Sequence, residues 1–426
     1  MKRRTVVFFL VLLINSVLMA QFLGENDIIS VKKDSEVIQA VMDMNLDVLF
    51  QKDDLIFIVA GVQDLIKLND AGIDYSIENA NFIKLNERDA YSQGGINGVY
   101  HSYLELEQDL YQLESLYPHL AKVEIIGTSH ESRYIYAVKI SDNVYQDENE
   151  ATVIFLGCHH AREWISVEVP YLIAKHLLDN YESDPEIKDL VNQSEIWFIP
   201  LVNPDGLVYS IYFYRYWRKN RRHNEDGSYG VDLNRNYGYQ WGYDNIGSSP
   251  NPSSNVYRGP DPFSEPETQA VRDFMLGKDF QALVSYHNYS QIIIYPWGYK
   301  AEPSALDDLL HDMAEQMSEK IEQVNGTFYN FGRAGDSLYL TNGDTTDWSL
   351  GVFGIPSFTI ELPPVDLLSG GFYNSEEDIM PIFQENLPAA LYLIEWAVQN
   401  YHPPVLHPFP ETLTQRENKT KESRKK

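Results

Sequence analysis

The sequence predicts an α/β fold, a mixed and largely buried β-sheet covered by helices, with a small α+β unit ahead of it. Three observations predict it. From Val99 to about Gln399, apolar runs of strand length alternate with segments of helical period. A separate strand, strand, helix, strand pattern occupies Asp47 to Ile77. Between the two lies Ser92-Gln93-Gly94-Gly95-Ile96-Asn97-Gly98, a polar, glycine-rich stretch that reads as a linker.

Taken in order, the chain begins with Lys2-Arg3-Arg4, an apolar stretch from Val6 to Leu13, Asn15-Ser16 and a short run ending at Ala20. A basic start, an apolar centre and a small residue at the cleavage point describe a signal peptide over residues 1–20 and a secreted, extracellular product. An uncleaved anchor is the alternative, but Asn15 and Ser16 interrupt the run before it comfortably spans a bilayer. No stable membrane association is expected once the signal is removed. Residues 21–94 form the small unit: strands at Asp47 to Phe50 and Leu55 to Ala60, a helix from Val62 to Asn69 and a strand from Ile73 to Ile77, punctuated by Gly61 and Gly72. Its position suits the propeptide of a zymogen, with the linker open to an activating protease; a retained accessory domain is the alternative.

The main domain is expected over residues 95–402. Ser102 and Glu105 make a capping box ahead of Leu106, Leu110, Leu113 and Tyr117. Strands are expected at Val153 to Leu156, Glu195 to Ile199, Ala282 to Tyr286 and Ser357 to Leu362. Helices are expected from about Val167 to Tyr181, Ser304 to Val324 and Gln384 to Asn400. Residues 403–426, proline-containing and then charged without an apolar period, read as a disordered tail.

A chain of 426 residues with 44% hydrophobic content can bury a large core. Sixty-two acidic against 33 basic side chains give a formal charge of −29, which repels nucleic acid and keeps the protein soluble. The single cysteine, Cys158, excludes an internal disulfide and a multi-cysteine metal cluster, so the fold must stand on packing. A monomer is expected.

The most informative segment is Cys158-His159-His160-Ala161-Arg162-Glu163-Trp164, at the end of a strand. An imidazole and a carboxylate three positions apart can grip one zinc ion from a tight turn, and a third ligand must arrive from elsewhere. His287, at the C-terminal end of another strand, supplies it. Three ligands of type His, Glu, His leave a place for water, as catalytic zinc sites do. His159 competes with His160, but the gap to Glu163 favours His160; His159 and Cys158 read as packing residues.

At these residues the sequence resembles the zinc carboxypeptidases of the carboxypeptidase A/B family, most closely its bacterial, secreted carboxypeptidase T type. The resemblance covers nearly all of Val99 to Asn400. It is carried by His160-Ala161-Arg162-Glu163-Trp164, Asn203-Pro204-Asp205-Gly206, Trp217-Arg218-Lys219-Asn220-Arg221, Val231-Asp232-Leu233-Asn234-Arg235-Asn236, Ser285-Tyr286-His287-Asn288-Tyr289-Ser290, Asp347-Trp348 and Thr359-Ile360-Glu361-Leu362. The resemblance implies one zinc ion held by His160, Glu163 and His287, with Glu361 as general base. It implies that Arg221 is the cation stabilising the negative charge that builds on the carbonyl oxygen. Asn234 and Arg235 would bind the substrate's free carboxylate, Tyr339 would close over it, and Arg162 would contact its penultimate part. Asp232 would orient a ligating histidine, His160. The implied substrates are the C-termini of peptides and proteins.

Counting back from Asp347-Trp348, Thr346 and Asp344 fall in the pocket for the C-terminal side chain, a combination similar to carboxypeptidase T. The expectation is that Asp344 pairs with Lys or Arg while the rest of the wall accepts apolar residues. The plainer reading makes Asp344 a turn residue of Asn342-Gly343-Asp344-Thr345. Asn288 departs from the serine that animal members often carry after the last ligand. Bacterial relatives can bind calcium, for which no ligands are assigned here. Two competing functions remain: a zinc peptidase trimming peptidoglycan stem peptides, and a non-catalytic binding module. The second conflicts with a site in which the three ligands and the base are all filled.

Overall fold

The structure, a computed structural model, describes residues 27–77 except 33–36, 38–39, 42–43, 45, 53 and 61, together with residues 97–365 and 371–401. The expected signal peptide, most of the linker and the expected tail lie outside the described residues.

The N-terminal unit is a four-stranded sheet in the order β2-β3-β1-β4, with β1 at Asp27–Lys32, β2 at Asp47–Lys52, β3 at Leu55–Ala60 and β4 at Tyr75–Ile77. Helix α1, Val62–Asp70, turns Leu65 and Leu68 onto a core of Ile29, Val31, Ile56 and Ile58. The sequence reading has no strand at β1. That strand pairs with both β3 and β4 and so lies inside the sheet.

The main domain carries an eight-stranded sheet in the order β11-β10-β12-β9-β7-β8-β6-β5. Its strands are β5 Ala121–Thr128, β6 Tyr134–Ile140, β7 Ala151–Gly157, β8 Ser194–Ile199, β9 Ala282–Asn288, β10 Ile292–Tyr295, β11 Asn330–Arg333 and β12 Ser357–Leu362. The centre, β12-β9-β7-β8, is parallel, and antiparallel pairings flank it at β10 and β6. The central strands are apolar on both faces, as a sheet covered twice requires. One face packs Val153, Phe155, Val284 and Phe358 against helices Ile165–Asn180, Asp307–Asn325 and Ile379–Asn400. The other packs Ile154, Leu156, Trp197 and Leu283 against Leu233, Tyr237 and Trp348. Ser102 and Glu105 form the expected capping box at the start of helix Tyr103–Leu116, whose Leu106, Leu110 and Leu113 are buried.

This topology places the chemistry. Parallel strands β7, β9 and β12 end side by side, and every residue of the proposed metal cluster and base lies at or just beyond those ends.

Candidate active site

The chain leaves β7 through Gly157, where a Cβ would sit 2.1 Å from the Ser166 carbonyl oxygen, so only glycine fits. Cys158 follows with φ of +53° and turns the backbone sharply. Its N–H donates to Ser166 Oγ at 3.1 Å, and Ala161 N–H donates to the Arg218 carbonyl at 3.0 Å. Asn203 donates its side-chain amide to the His159 carbonyl and to the Lys219 carbonyl. The turn is thereby clamped with His160 and Glu163 facing the end of β9.

His160, Glu163 and His287 converge. His160 Nδ1 lies 2.8 Å from Glu163 Oε1, His287 Nδ1 lies 3.0 Å from Glu163 Oε2, and the two Nδ1 atoms are 3.1 Å apart. Their outward nitrogens are also engaged: His160 Nε2 meets Asp232 Oδ1 at 3.2 Å, and His287 Nε2 meets Ser285 Oγ at 3.0 Å. With Asp232 and Ser285 accepting the imidazole protons on the outside, both inner Nδ1 atoms are free to act as ligands through their lone pairs. Two lone pairs at such a separation repel unless a cation lies against both. Ligands about 2.0–2.1 Å from a tetrahedral zinc are themselves about 3.3 Å apart, close to the spacings seen here. The residues therefore fit the ion.

Outside this trio, His159 points elsewhere. Its ring meets Tyr237 OH at 2.9 Å, Thr345 Oγ1 at 3.1 Å and Ser285 Oγ at 3.2 Å, and it is fully buried. Cys158 is buried as well.

Electrostatics follow from this packing. Burial alone would raise the Glu163 carboxyl, but the imidazoles of His160 and His287 outweigh it and hold it far below the usual range. Asp232 is likewise held well below its ordinary value: burial opposes, and Arg218, His160 and Arg235 prevail. Glu361 behaves in the opposite way. Register places it directly beside His287 in adjacent parallel strands. Burial, then the charge of Glu163, pushes it well above the carboxylate range, while Arg218, Arg235 and Arg162 oppose. A dication beside Glu163 would relieve that repulsion.

Of the two arginines in this motif, the structure brings Arg218 beside the ligand set and leaves Arg221, the expected cation, away from it. Arg218 is buried and donates from Nε and Nη2 to Asp232 Oδ2 at 3.0 and 2.8 Å, one residue removed from the ligand His160. Among the cations acting on Glu361 it is the strongest. Arg221 lies over the rings of Tyr209, Tyr229 and Trp217 at 3.6, 4.6 and 4.7 Å, and its nearest carboxylate is Glu131 at 3.9 Å. Trp217-Arg218-Lys219-Asn220-Arg221 holds both arginines. Their partners distinguish them, Asp232 for Arg218 and aromatic rings for Arg221.

A cleft beside the trio is lined by His160, Asn234, Arg235, Tyr339, Asp344, Thr346, Thr359 and Glu361 among others, so the expected substrate residues are brought together there. Arg235 is braced by bonds to the carbonyls of Gly247 and Asn234 at 2.9 and 2.7 Å. Asn234 Oδ1 accepts from Thr345 N and Oγ1, which leaves its NH2 group for a ligand. Tyr339 is 41% exposed, with its ring 6.0 Å from the Arg235 guanidinium. Asp344 both lines the cleft and caps helix Thr345–Phe353: it accepts from Asp347 N at 2.8 Å, Thr346 Oγ1 at 3.0 Å and Thr341 Oγ1 at 2.7 Å. Arg162 lies outside these lining residues. Its guanidinium pairs with Asp47 of β2, Nη1 to Oδ2 at 2.9 Å and Nη2 to Oδ1 at 3.3 Å.

The profile of the zinc carboxypeptidases matches residues 106–389. The chain is 33% identical to carboxypeptidase B of Astacus astacus over 71% of its own length and 98% of that protein. It is 30% identical to metallocarboxypeptidase A of Trichophyton rubrum over 85% of its length and 90% of that protein. Among solved structures, carboxypeptidase A from Helicoverpa armigera superposes with a TM-score of 0.76 at 26% identity, covering 88% of this chain and 97% of that one.

Proposed function

The chain belongs to the zinc carboxypeptidase family, and on that premise we propose how its own residues carry out the reaction. It is a zinc-dependent metallocarboxypeptidase, a hydrolase of C-terminal peptide bonds. His160, Glu163 and His287 hold the zinc. Bound there, zinc supplies Lewis acidity toward the scissile carbonyl and lowers the pKa of water. Glu361 takes the proton of the attacking water and later hands it to the leaving amine. Arg218 faces the carbonyl oxygen as negative charge develops on it. Asn234 and Arg235 bind the terminal carboxylate, a fork and an amide donor matched to two oxygens. Tyr339, exposed at the mouth, closes over the bound residue.

The observation that carries this reading is the placing of Glu361 beside His287 at the mouth of a cleft that also holds Arg235. Buried Asp344 gives that cleft a carboxylate, which supports acceptance of Lys or Arg alongside apolar residues. The cap bonds already made by Asp344 moderate the preference.

The N-terminal unit acts as a propeptide, and the Arg162–Asp47 pair supports masking of the site. Export by the signal peptide belongs to the same proposal. Among the described residues no helix is long and apolar enough to cross a membrane. The test is a matched pair of peptides, one with a free and one with an amidated C-terminus, offered to the activated protein with and without a chelator. Release of one residue from the free peptide alone, abolished by chelation and restored by zinc, is expected. Equal cleavage of both would refute the reading.

A further inference from the structure

Arg162 is 2% exposed, and among the described residues the carboxylate that pairs with it comes from another folding unit. Asp47 Oδ2 also accepts from Asn255 Nδ2 at 3.1 Å, so the carboxylate sits in a three-point grip. The Phe372 ring covers the Arg162 guanidinium at 4.0 Å. Next to it lies Arg215, whose guanidinium stacks 3.8 Å over Trp164. Arg215 donates to the carbonyls of Arg162 and Phe372 at 2.6 and 2.7 Å, and among the described residues no carboxylate forms an ion pair with it. Arg218, the next cation along, spends its charge on Asp232.

The two units have separate cores, so the propeptide can leave without dismantling the main domain. When Asp47 leaves, Arg162 and Arg215 remain as neighbouring cations that, among the described residues, have no carboxylate paired with them. Two adjacent guanidiniums, each stacked on an aromatic ring, repel one another, and an incoming carboxylate relieves that repulsion where a neutral side chain does not. Arg162 and Asn255 are not among the residues lining the cleft that takes the C-terminal residue, but the Arg162 charge acts on Glu361, which does line it, so the gap lies beside that cleft. A bound peptide reaches it only with the part that runs upstream of the scissile bond.

We infer that the activated enzyme prefers substrates bearing an acidic side chain upstream of the scissile bond, bound by Arg162 and Asn255 in the gap that Asp47 fills. The inference rests on the carboxypeptidase reading and deepens it by naming a substrate class. It makes Asp47 a mimic of the substrate's acidic residue. The overall charge of −29 opposes the approach of acidic peptides at long range, but salt screens that repulsion beyond about 8 Å at physiological ionic strength, whereas the pairing is made in contact.

The test uses the full chain cleaved within the linker by limited proteolysis. Peptides share one C-terminal residue and carry Asp, Asn or Lys in turn at the second, third and fourth positions from the end. At one position kcat/KM for Asp is expected to exceed that for Asn by roughly five- to tenfold, and that for Lys by more. Half-molar salt and Asn255→Ala should each shrink the Asp-to-Asn ratio. Efficient trimming of the Asn peptides with a ratio of one or below at all three positions would overturn the inference and leave the carboxypeptidase reading standing. Failure to release the terminal residue from any peptide would overturn both.

Discussion

Two clusters of similar composition sit in the main domain, His160 with Glu163 and His287, and His130 with Glu265 and Glu267; in each, three donor atoms lie within 4.8 Å of one another. They differ in what else touches them. In the first, other protein groups bind the outer nitrogens of the histidines, and the inner donors face one another. In the second, the carboxylates are already spent: Glu265 accepts from His130, Arg222, Ser264 and Asn220, and Glu267 accepts from Asn220 and the His130 backbone. Donor identity alone thus does not make a metal site. Lone pairs left unspent in the middle do.

The second cluster still serves the first. Asn220, which bonds both glutamates, accepts from Val231 N at 2.8 Å through its Oδ1. It therefore ties the segment carrying Arg218 to the one carrying Asp232, Asn234 and Arg235.

The sharpest way to break this contrast is to delete one histidine from each cluster. His160→Ala should lower peptide hydrolysis by at least about 10⁴-fold, since water activation depends on the metal. His130→Ala should stay within about threefold of the parent; parallel losses in the two variants would erase the distinction. Next in size, Glu361→Gln should reduce kcat by about 10²–10⁴-fold, with KM little changed and zinc retained. A fully active variant would remove Glu361 as the base. Arg218→Ala should cost about 10²–10³-fold in kcat, and Arg221→Ala only a few-fold, as steady-state kinetics on one peptide will report. The reverse order would reinstate Arg221.

The smallest effect is on stability. Burial pushes Glu267 up to about 7, with His130 opposing and Glu265 adding to the rise. A carboxyl that binds its proton more tightly when folded lends stability that is whole below the unfolded pKa, near 4.3, and lost as pH climbs through 7. Glu267→Gln should flatten the fall in the urea midpoint between about pH 4.5 and 7, a change on the order of 2–3 kcal/mol. An unchanged slope would assign that fall to other groups.

Much of this molecule was legible in its sequence. The parallel centre shows as short apolar runs, and the ligand trio shows because His160 and Glu163 are close in sequence and His287 ends a strand. What was hidden is what depends on long-range contact. Strand β1 is a brief Ile28-Ile29-Ser30-Val31 run that needs β3 and β4 to become a strand. Helix Thr345–Phe353 begins with the turn-like Asn342-Gly343-Asp344, and only the bond from Asp347 N reveals Asp344 as a cap. Arg218 and Arg221 share a motif, and burial against Asp232 separates them. No local pattern links Arg162 to Asp47, 115 positions away.

Metal stoichiometry tests the central claim most directly. Elemental analysis of the purified chain after exhaustive dialysis should find one zinc per molecule in the parent and in His130→Ala, and close to none in His160→Ala, Glu163→Ala and His287→Ala. Full zinc occupancy in those three variants, or a parent that binds no zinc, would contradict the account.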